Sequence, residues 1–206
     1  MHVPPMCVCG NIFRGKTLAS VSKNLFSVAG KTALITGGGS GIGGFMAQSL
    51  ADEGASILLV GRREEKLKEV LGARDGSIFV IDLSEAGASQ RLFKMVTDRG
   101  YQPDIIVNAA GINPRLHADE IDEDMWNYTV HLNLNVPFLV AQKFVPAMQA
   151  NRWGRIINIA SMQSSRAFPN GISYGAAKGG VTQLTRAMAE AWSALGVTAN
   201  ALAPGF

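Results

Sequence analysis

The chain has 206 residues, of which 47% are hydrophobic and 17% charged, with 23 glycines and a formal net charge of +3. That length is one ordinary domain with room for a real core, and the balance is that of a soluble α/β protein rather than a disordered one. No apolar run approaches the about 20 residues that span a bilayer, and the basic side chains are not gathered on one predicted face. Neither a membrane nor a nucleic acid is therefore expected as a partner.

In chain order, residues 1–27 come first. Arg14, Lys16, Lys23 and Lys31 all precede the first acidic residue, Asp52. Residues 1–27 read as a basic N-terminal extension, expected to be disordered; an organelle-targeting segment is the other reading, and Pro4 and Pro5 weaken the helix it would need. Cys7 and Cys9 are too few for a disulfide framework and, with His2, cannot complete the about four ligands of a zinc site. No metal site is expected, and the expected location is cytoplasmic.

From residue 28 onward, apolar runs at 32–36, 56–60, 77–81, 104–107, 155–159 and 197–201 alternate with helix-length segments. Strict alternation implies an α/β fold with a doubly wound parallel sheet and right-handed crossovers, whose ligands bind outside the carboxyl ends of the strands. After the first run, Ile42, Phe45, Met46 and Leu50 recur at helical spacing. Trp126, Phe138, Val181, Leu184 and Met188 are most simply core residues, and His117 and His131 read as structural.

The chemistry-bearing residues fall at strand ends. Between the first strand and its helix lies Thr36-Gly-Gly-Gly-Ser-Gly-Ile-Gly-Gly44, with Gly37, Gly41 and Gly43 spaced G-x3-G-x-G. Bare backbone leading into a helix N-terminus offers free N–H groups and the positive end of the helix dipole, which suits a phosphate; an ordinary tight turn is the alternative. The second strand ends in Gly61-Arg62-Arg63, without the acid that would hold a ribose 2′-hydroxyl. Glycine there removes repulsion toward a 2′-phosphate that Arg62 can pair with, although two solvated arginines would read the same. Asp82-Leu83 closes the third strand, where a helix N-cap is the alternative reading. Asn108-Ala109-Ala110-Gly111 closes the fourth. Asn133 lies seven residues after Trp126, Ser161 closes the fifth strand, Tyr174-x3-Lys178 follows thirteen residues later, and Pro204-Gly205 follows the sixth.

As a set, over about residues 25–206, these motifs resemble the short-chain dehydrogenase/reductase family. The stretch Ser161-Met162-Gln163-Ser164 further resembles the sugar-acid dehydrogenases of the gluconate type. The resemblance implies a Rossmann fold and an NAD(P)-dependent oxidoreductase that interconverts a secondary alcohol and a ketone on a small molecule, with NADP favoured modestly over NAD. It implies cofactor contacts from Gly37, Gly39, Ser40, Gly41, Ile42, Gly43, Arg62, Asp82, Leu83, Asn108, Ala109, Ala110, Gly111, Tyr174, Lys178, Pro204 and Gly205, with alanine at 109 departing from the family's N-N-A-G. Tyr174 becomes the general acid/base, Ser161 the hydrogen-bond donor to the reacting oxygen, Lys178 the cation that favours the phenolate and holds the ribose, and Asn133 the anchor of a water-linked proton route.

Two further expectations follow from the resemblance. Family members usually continue past Pro-Gly into a substrate-covering loop and a last strand and form dimers or tetramers, so a chain closing at Phe206 reads as C-terminally truncated, lacking that strand and loop. The alternative to an active enzyme is accordingly a nucleotide-binding fragment or an interaction scaffold without turnover. Arg115, just after the Asn108–Gly111 turn, is a candidate clamp for a substrate carboxylate, with a solvated loop arginine as the alternative.

Overall fold

The computed structural model describes residues 27–205, so the expectations for residues 1–26 and Phe206 lie outside the described residues. Six strands form one parallel sheet: β1 (Thr32–Thr36), β2 (Ser56–Gly61), β3 (Gly76–Val80), β4 (Ile105–Asn108), β5 (Gly154–Ile159) and β6 (Val197–Leu202). The order is β3-β2-β1-β4-β5-β6, and each neighbouring pair is parallel. The helices between them are α1 (Gly41–Asp52), α2 (Glu64–Leu71), α3 (Ala88–Asp98), α4 (Glu123–Val130), α5 (Val136–Ala150) and α6 (Ile172–Trp192).

Strand periodicity divides the core. Ala33, Ile35, Ile57, Leu59, Ile105 and Val107 point to one face, where they pack with Ala47 of α1 and Leu67 of α2. Leu34, Leu58, Val60, Ile106 and Ile156 point to the other, packing with Leu92 of α3, Val140 and Phe144 of α5 and Met188 of α6. Both sheet faces are covered, so these strands read as continuous apolar runs rather than alternating ones. The strand order reverses between β1 and β4, which opens the ligand crevice of this architecture beside the paired ends Thr36 and Asn108.

Helical spacing does not say which side chains α1 and α4 bury, and the core expectation for Trp126 needs correction. Helix α1 forms as its spacing predicts, but its fully buried positions are Gly43, Gly44 and Ala47, while Ile42 and Phe45 are 43% and 72% exposed. The cause is close approach: a Cβ on Gly43 would stand 2.5 Å from the Gly37 carbonyl oxygen. Trp126 is 38% exposed and not a core residue; the buried residue of α4 is Thr129. Among the described residues, no helix is long and apolar enough to cross a membrane.

Candidate active site

A cavity of about 410 Å³ runs along the carboxyl ends of the strands, from Arg62, Asp82 and Leu83 at one end, past Gly37, Gly39 and Gly43, to Asn133, Tyr174 and Lys178 at the other. Its middle is built by glycine. Gly37 sits at φ 68°, and a Cβ there would meet the Ala110 nitrogen at 2.8 Å, so the β1 turn and the β4 turn touch backbone to backbone. Thr36 locks them together: its Oγ1 accepts from the amides of Ala109 and Ala110, each at 3.2 Å. Gly41, at φ 55°, has nothing within 4 Å of where a Cβ would stand. Ser40 precedes α1 in an extended conformation without capping the helix through its side chain, and the first turn carries no acidic residue. Free N–H groups, an open approach and no opposing charge fit the pyrophosphate of a dinucleotide.

The end of the cavity at Arg62, Asp82 and Leu83 is more polar than the sequence alone reveals. Arg62 Nη1 lies 3.4 Å from Asp82 Oδ2 in a mostly exposed ion pair, while Asp82 Oδ1 accepts from the Ser84 amide at 2.9 Å and hydroxyl at 2.7 Å. Partial burial pushes the Asp82 carboxyl up, but the Ser84 bonds and the Arg62 charge outweigh it and hold it below the usual range. Arg63 Nη2 donates to Ser40 Oγ at 3.1 Å, and Arg63 and Lys66 line the same end of the cavity. Leu83 lines it too while being 5% exposed in the core. Lys66 stands one turn beyond Arg62-Arg63, a basic spacing that would have disclosed it in the sequence.

At the opposite end, Asn133 lies in a π-helical segment, His131–Asn135, that joins α4 to α5. This irregularity turns its amide to donate to the carbonyls of Ile112 and Thr129, both at 2.9 Å. Its Oδ1 is buried without a hydrogen-bond partner among the described residues. A Cβ on Gly111 would overlap that oxygen and would come within 3.8 Å of Lys178 Nζ. Glycine at 111 is thus what keeps the Asn133 oxygen and the Lys178 ammonium facing one space. Lys178 is 5% exposed; burial lowers its pKa to about 8, and its Nζ donates to the Ile159 carbonyl at 2.5 Å. The same Nζ is 5.6 Å from the centre of the Tyr174 ring, as expected for residues one helical turn apart on α6.

Ser161 begins a short 3-10 turn, Met162–Ser164. The Gln163 amide donates to Ser161 Oγ at 3.1 Å. An N–H only donates, so Ser161 Oγ accepts here and its own proton is left for another partner. A second cavity of about 620 Å³, lined by Gln163, Ser165, Pro169 and Ile172 among others, opens beside this turn.

Other expected positions stand elsewhere. Asn108 is 3% exposed, and its amide donates to Asn158 Oδ1 at 2.8 Å and the Pro137 carbonyl at 3.3 Å, which makes it a sheet-interior tie rather than part of the cavity lining. Pro204 and Gly205 lie past β6 outside that lining, with the Cβ direction of Gly205 facing Met162. Arg115 is exposed at φ 54° and lines neither cavity. His117 caps the short turn Ala118–Glu120, a structural role. Lys66 and Asn113 belong to none of the sequence motifs, yet they line the cavity with Arg63, and Thr36, which opens the glycine motif, braces it.

The model of the short chain dehydrogenase family matches residues 31–206. The chain belongs to this family. It is 38% identical over 189 residues to the 2-dehydro-3-deoxy-D-gluconate 5-dehydrogenase of Bacillus subtilis (strain 168), covering 88% of this chain and 72% of the relative. It is 34% identical over 180 residues to the 3beta-hydroxysteroid dehydrogenase of Mediterraneibacter gnavus, covering 84% and 65%. Among solved structures, a gluconate 5-dehydrogenase from Burkholderia cenocepacia J2315 in complex with NADP and tartrate superposes with a TM-score of 0.83 at 37% identity, covering 90% of this chain and 74% of that one. The protein is therefore a short-chain dehydrogenase, an oxidoreductase acting between hydroxyl and keto groups on small molecules.

Proposed function

We propose that the protein interconverts a secondary alcohol and a ketone on a polar hydroxy or keto acid of the sugar-acid type, using NADP in preference to NAD. The observation that carries this reading is the meeting of Tyr174, Lys178 and Asn133 at one end of a cavity whose middle is bare backbone. When bound, the nicotinamide supplies or accepts the hydride.

The chain's own residues do the rest. In reduction, the Tyr174 hydroxyl gives its proton to the forming alkoxide; in oxidation the phenolate takes it back. Ser161, its Oγ already accepting from Gln163, donates to the same substrate oxygen. Lys178 places a cation beside Tyr174 and toward the ribose, and Asn133 Oδ1, without a partner among the described residues, anchors the route by which the proton is replaced.

The preference for NADP is supported by Gly61 where an acid would repel a 2′-phosphate, and by Arg62, Arg63 and Lys66 around that end. The Arg62–Asp82 pair is exposed and worth little, so a phosphate can take the arginine over. Support for a sugar acid comes from Ser161-Met162-Gln163-Ser164 and from the gluconate-type relatives. A panel of gluconate and other sugar acids against steroids and apolar alcohols tests the reading: activity confined to the apolar compounds would contradict it.

A further inference from the structure

Ser161 and Tyr174 must reach one substrate oxygen from two different elements, the turn after β5 and helix α6. The chain that joins them is mostly exposed between Ser165 and Asn170, so covalent connection alone does not set their separation. Noncovalent ties must set it, because misplacing a catalytic group by about 1 Å can cost about a hundredfold in rate.

One hydroxyl makes the tie on the C-terminal side of Ser161. Ser164 Oγ donates to the backbone carbonyl of Lys178 at 2.8 Å and accepts from the backbone amide of Ser161 at 3.3 Å. The direction is fixed at both ends, since a carbonyl only accepts and an amide N–H only donates. The turn is closed by the Ser164 amide, which donates to the Ser161 carbonyl at 2.9 Å. On the N-terminal side the Lys178 ammonium holds Ile159. Lys178 therefore grips the chain on both sides of Ser161, by its ammonium two residues before and by its carbonyl, through Ser164, three residues after.

We propose that Ser164 is a positioning residue for the dehydrogenase reaction: its hydroxyl couples the Ser161 backbone to the Lys178 carbonyl and so fixes where Ser161 Oγ stands relative to Tyr174. This rests on the assignment of Ser161, Tyr174 and Lys178 as the reacting set. It also gives a physical reason for the fourth residue of Ser161-Met162-Gln163-Ser164. Alanine at 164 would leave Lys178's carbonyl satisfied by the Thr182 hydroxyl at 2.9 Å but would strip the Ser161 amide of its acceptor.

The test is a double-mutant cycle, because a residue that acts through Ser161 matters only while Ser161 is serine. Turnover is measured with NADP and gluconate, or whichever panel member the wild type turns over fastest, for Ser164→Ala, Ser161→Ala and the double variant. Ser164→Ala is expected to lower kcat about tenfold to about a hundredfold, with NADPH affinity within about twofold of wild type, and the same change in the Ser161→Ala background to alter kcat less than about twofold. Should alanine prevent folding, Ser164→Cys carries the same cycle. Amide exchange of Ser161, which needs no substrate, is expected to quicken in the single variant. Equal losses in both backgrounds, unchanged kcat, or unchanged Ser161 exchange would overturn the proposal. A Ser161→Ala protein with wild-type turnover would overturn the catalytic assignment, and the proposal with it.

Discussion

The Lys178 ammonium donates to the carbonyl oxygen of Ile159 at 2.5 Å, which fastens the middle of α6 to the end of β5. The contact is made at 5% exposure, so the charge is held where water cannot fully solvate it. Burial lowers the lysine pKa from 10.5 to about 8.

That shift predicts a pH dependence with a definite sign. Below about pH 8 the folded and unfolded chains both hold the proton, and the burial penalty is fully present. Between about 8 and 10.5 the unfolded chain holds more protons, so this group's contribution to stability rises with pH. Urea unfolding of wild type and Lys178→Met near pH 7 and near pH 9.5 checks it: the wild type should gain about 2 kcal/mol on the variant across that interval. A difference that stays constant would place the lysine in a solvated site.

Two glycines of the same turn should respond differently to alanine. At Gly37 the new Cβ meets the Ala110 backbone at 2.8 Å under a positive φ, so Gly37→Ala should lose roughly 2 kcal/mol or more of stability. At Gly41 nothing stands within 4 Å, so Gly41→Ala should cost about 1 kcal/mol from backbone strain alone while weakening NADPH at least about tenfold. Thermal melts and NADPH titrations separate the two effects. Wild-type NADPH affinity in Gly41→Ala would remove the turn from the binding site.

Arg62 and Asp82 make a matched pair of tests for cofactor choice. Arg62→Ala should weaken NADPH about tenfold while leaving NADH within about twofold, because only the former offers a 2′-phosphate. Asp82→Asn releases Arg62 from its 3.4 Å partner and should move the NADPH-to-NADH ratio the opposite way. Parallel changes in both affinities would make the arginine a surface residue.

The sheet and the glycine turn were legible because both rest on local pattern. Runs such as Leu34-Ile35 and Leu58-Leu59-Val60 are buried on both faces, and a strand followed by clustered glycine has few other meanings. What escaped is made through space. The hydroxyl of Thr36 bracing Ala109 and Ala110, 73 and 74 residues away, has no counterpart in any local window. Nor does the buried chain from Asn108 through Asn158 to Thr185, which joins β4, β5 and α6. Trp126 was misread for the converse reason: an apolar residue at helical spacing does not say which face of the helix is covered. Asn108 and Asn133 look alike as asparagines near strand and helix ends, and each keeps a buried side-chain oxygen without a partner among the described residues, yet the amide of one is bonded within the sheet and that of the other to the carbonyls of Ile112 and Thr129 beside the cavity.

The central claim is that Tyr174 transfers the proton, and Tyr174→Phe tests it most directly, since phenylalanine keeps the ring and deletes only the hydroxyl. Single-turnover hydride transfer should be followed with NADPH and the fastest keto acid of the panel, alongside a titration of NADPH alone. The account predicts a rate lower by about a hundredfold to ten-thousandfold, with NADPH affinity within about twofold of wild type. A Tyr174→Phe protein that transfers hydride at a near-normal rate would contradict it.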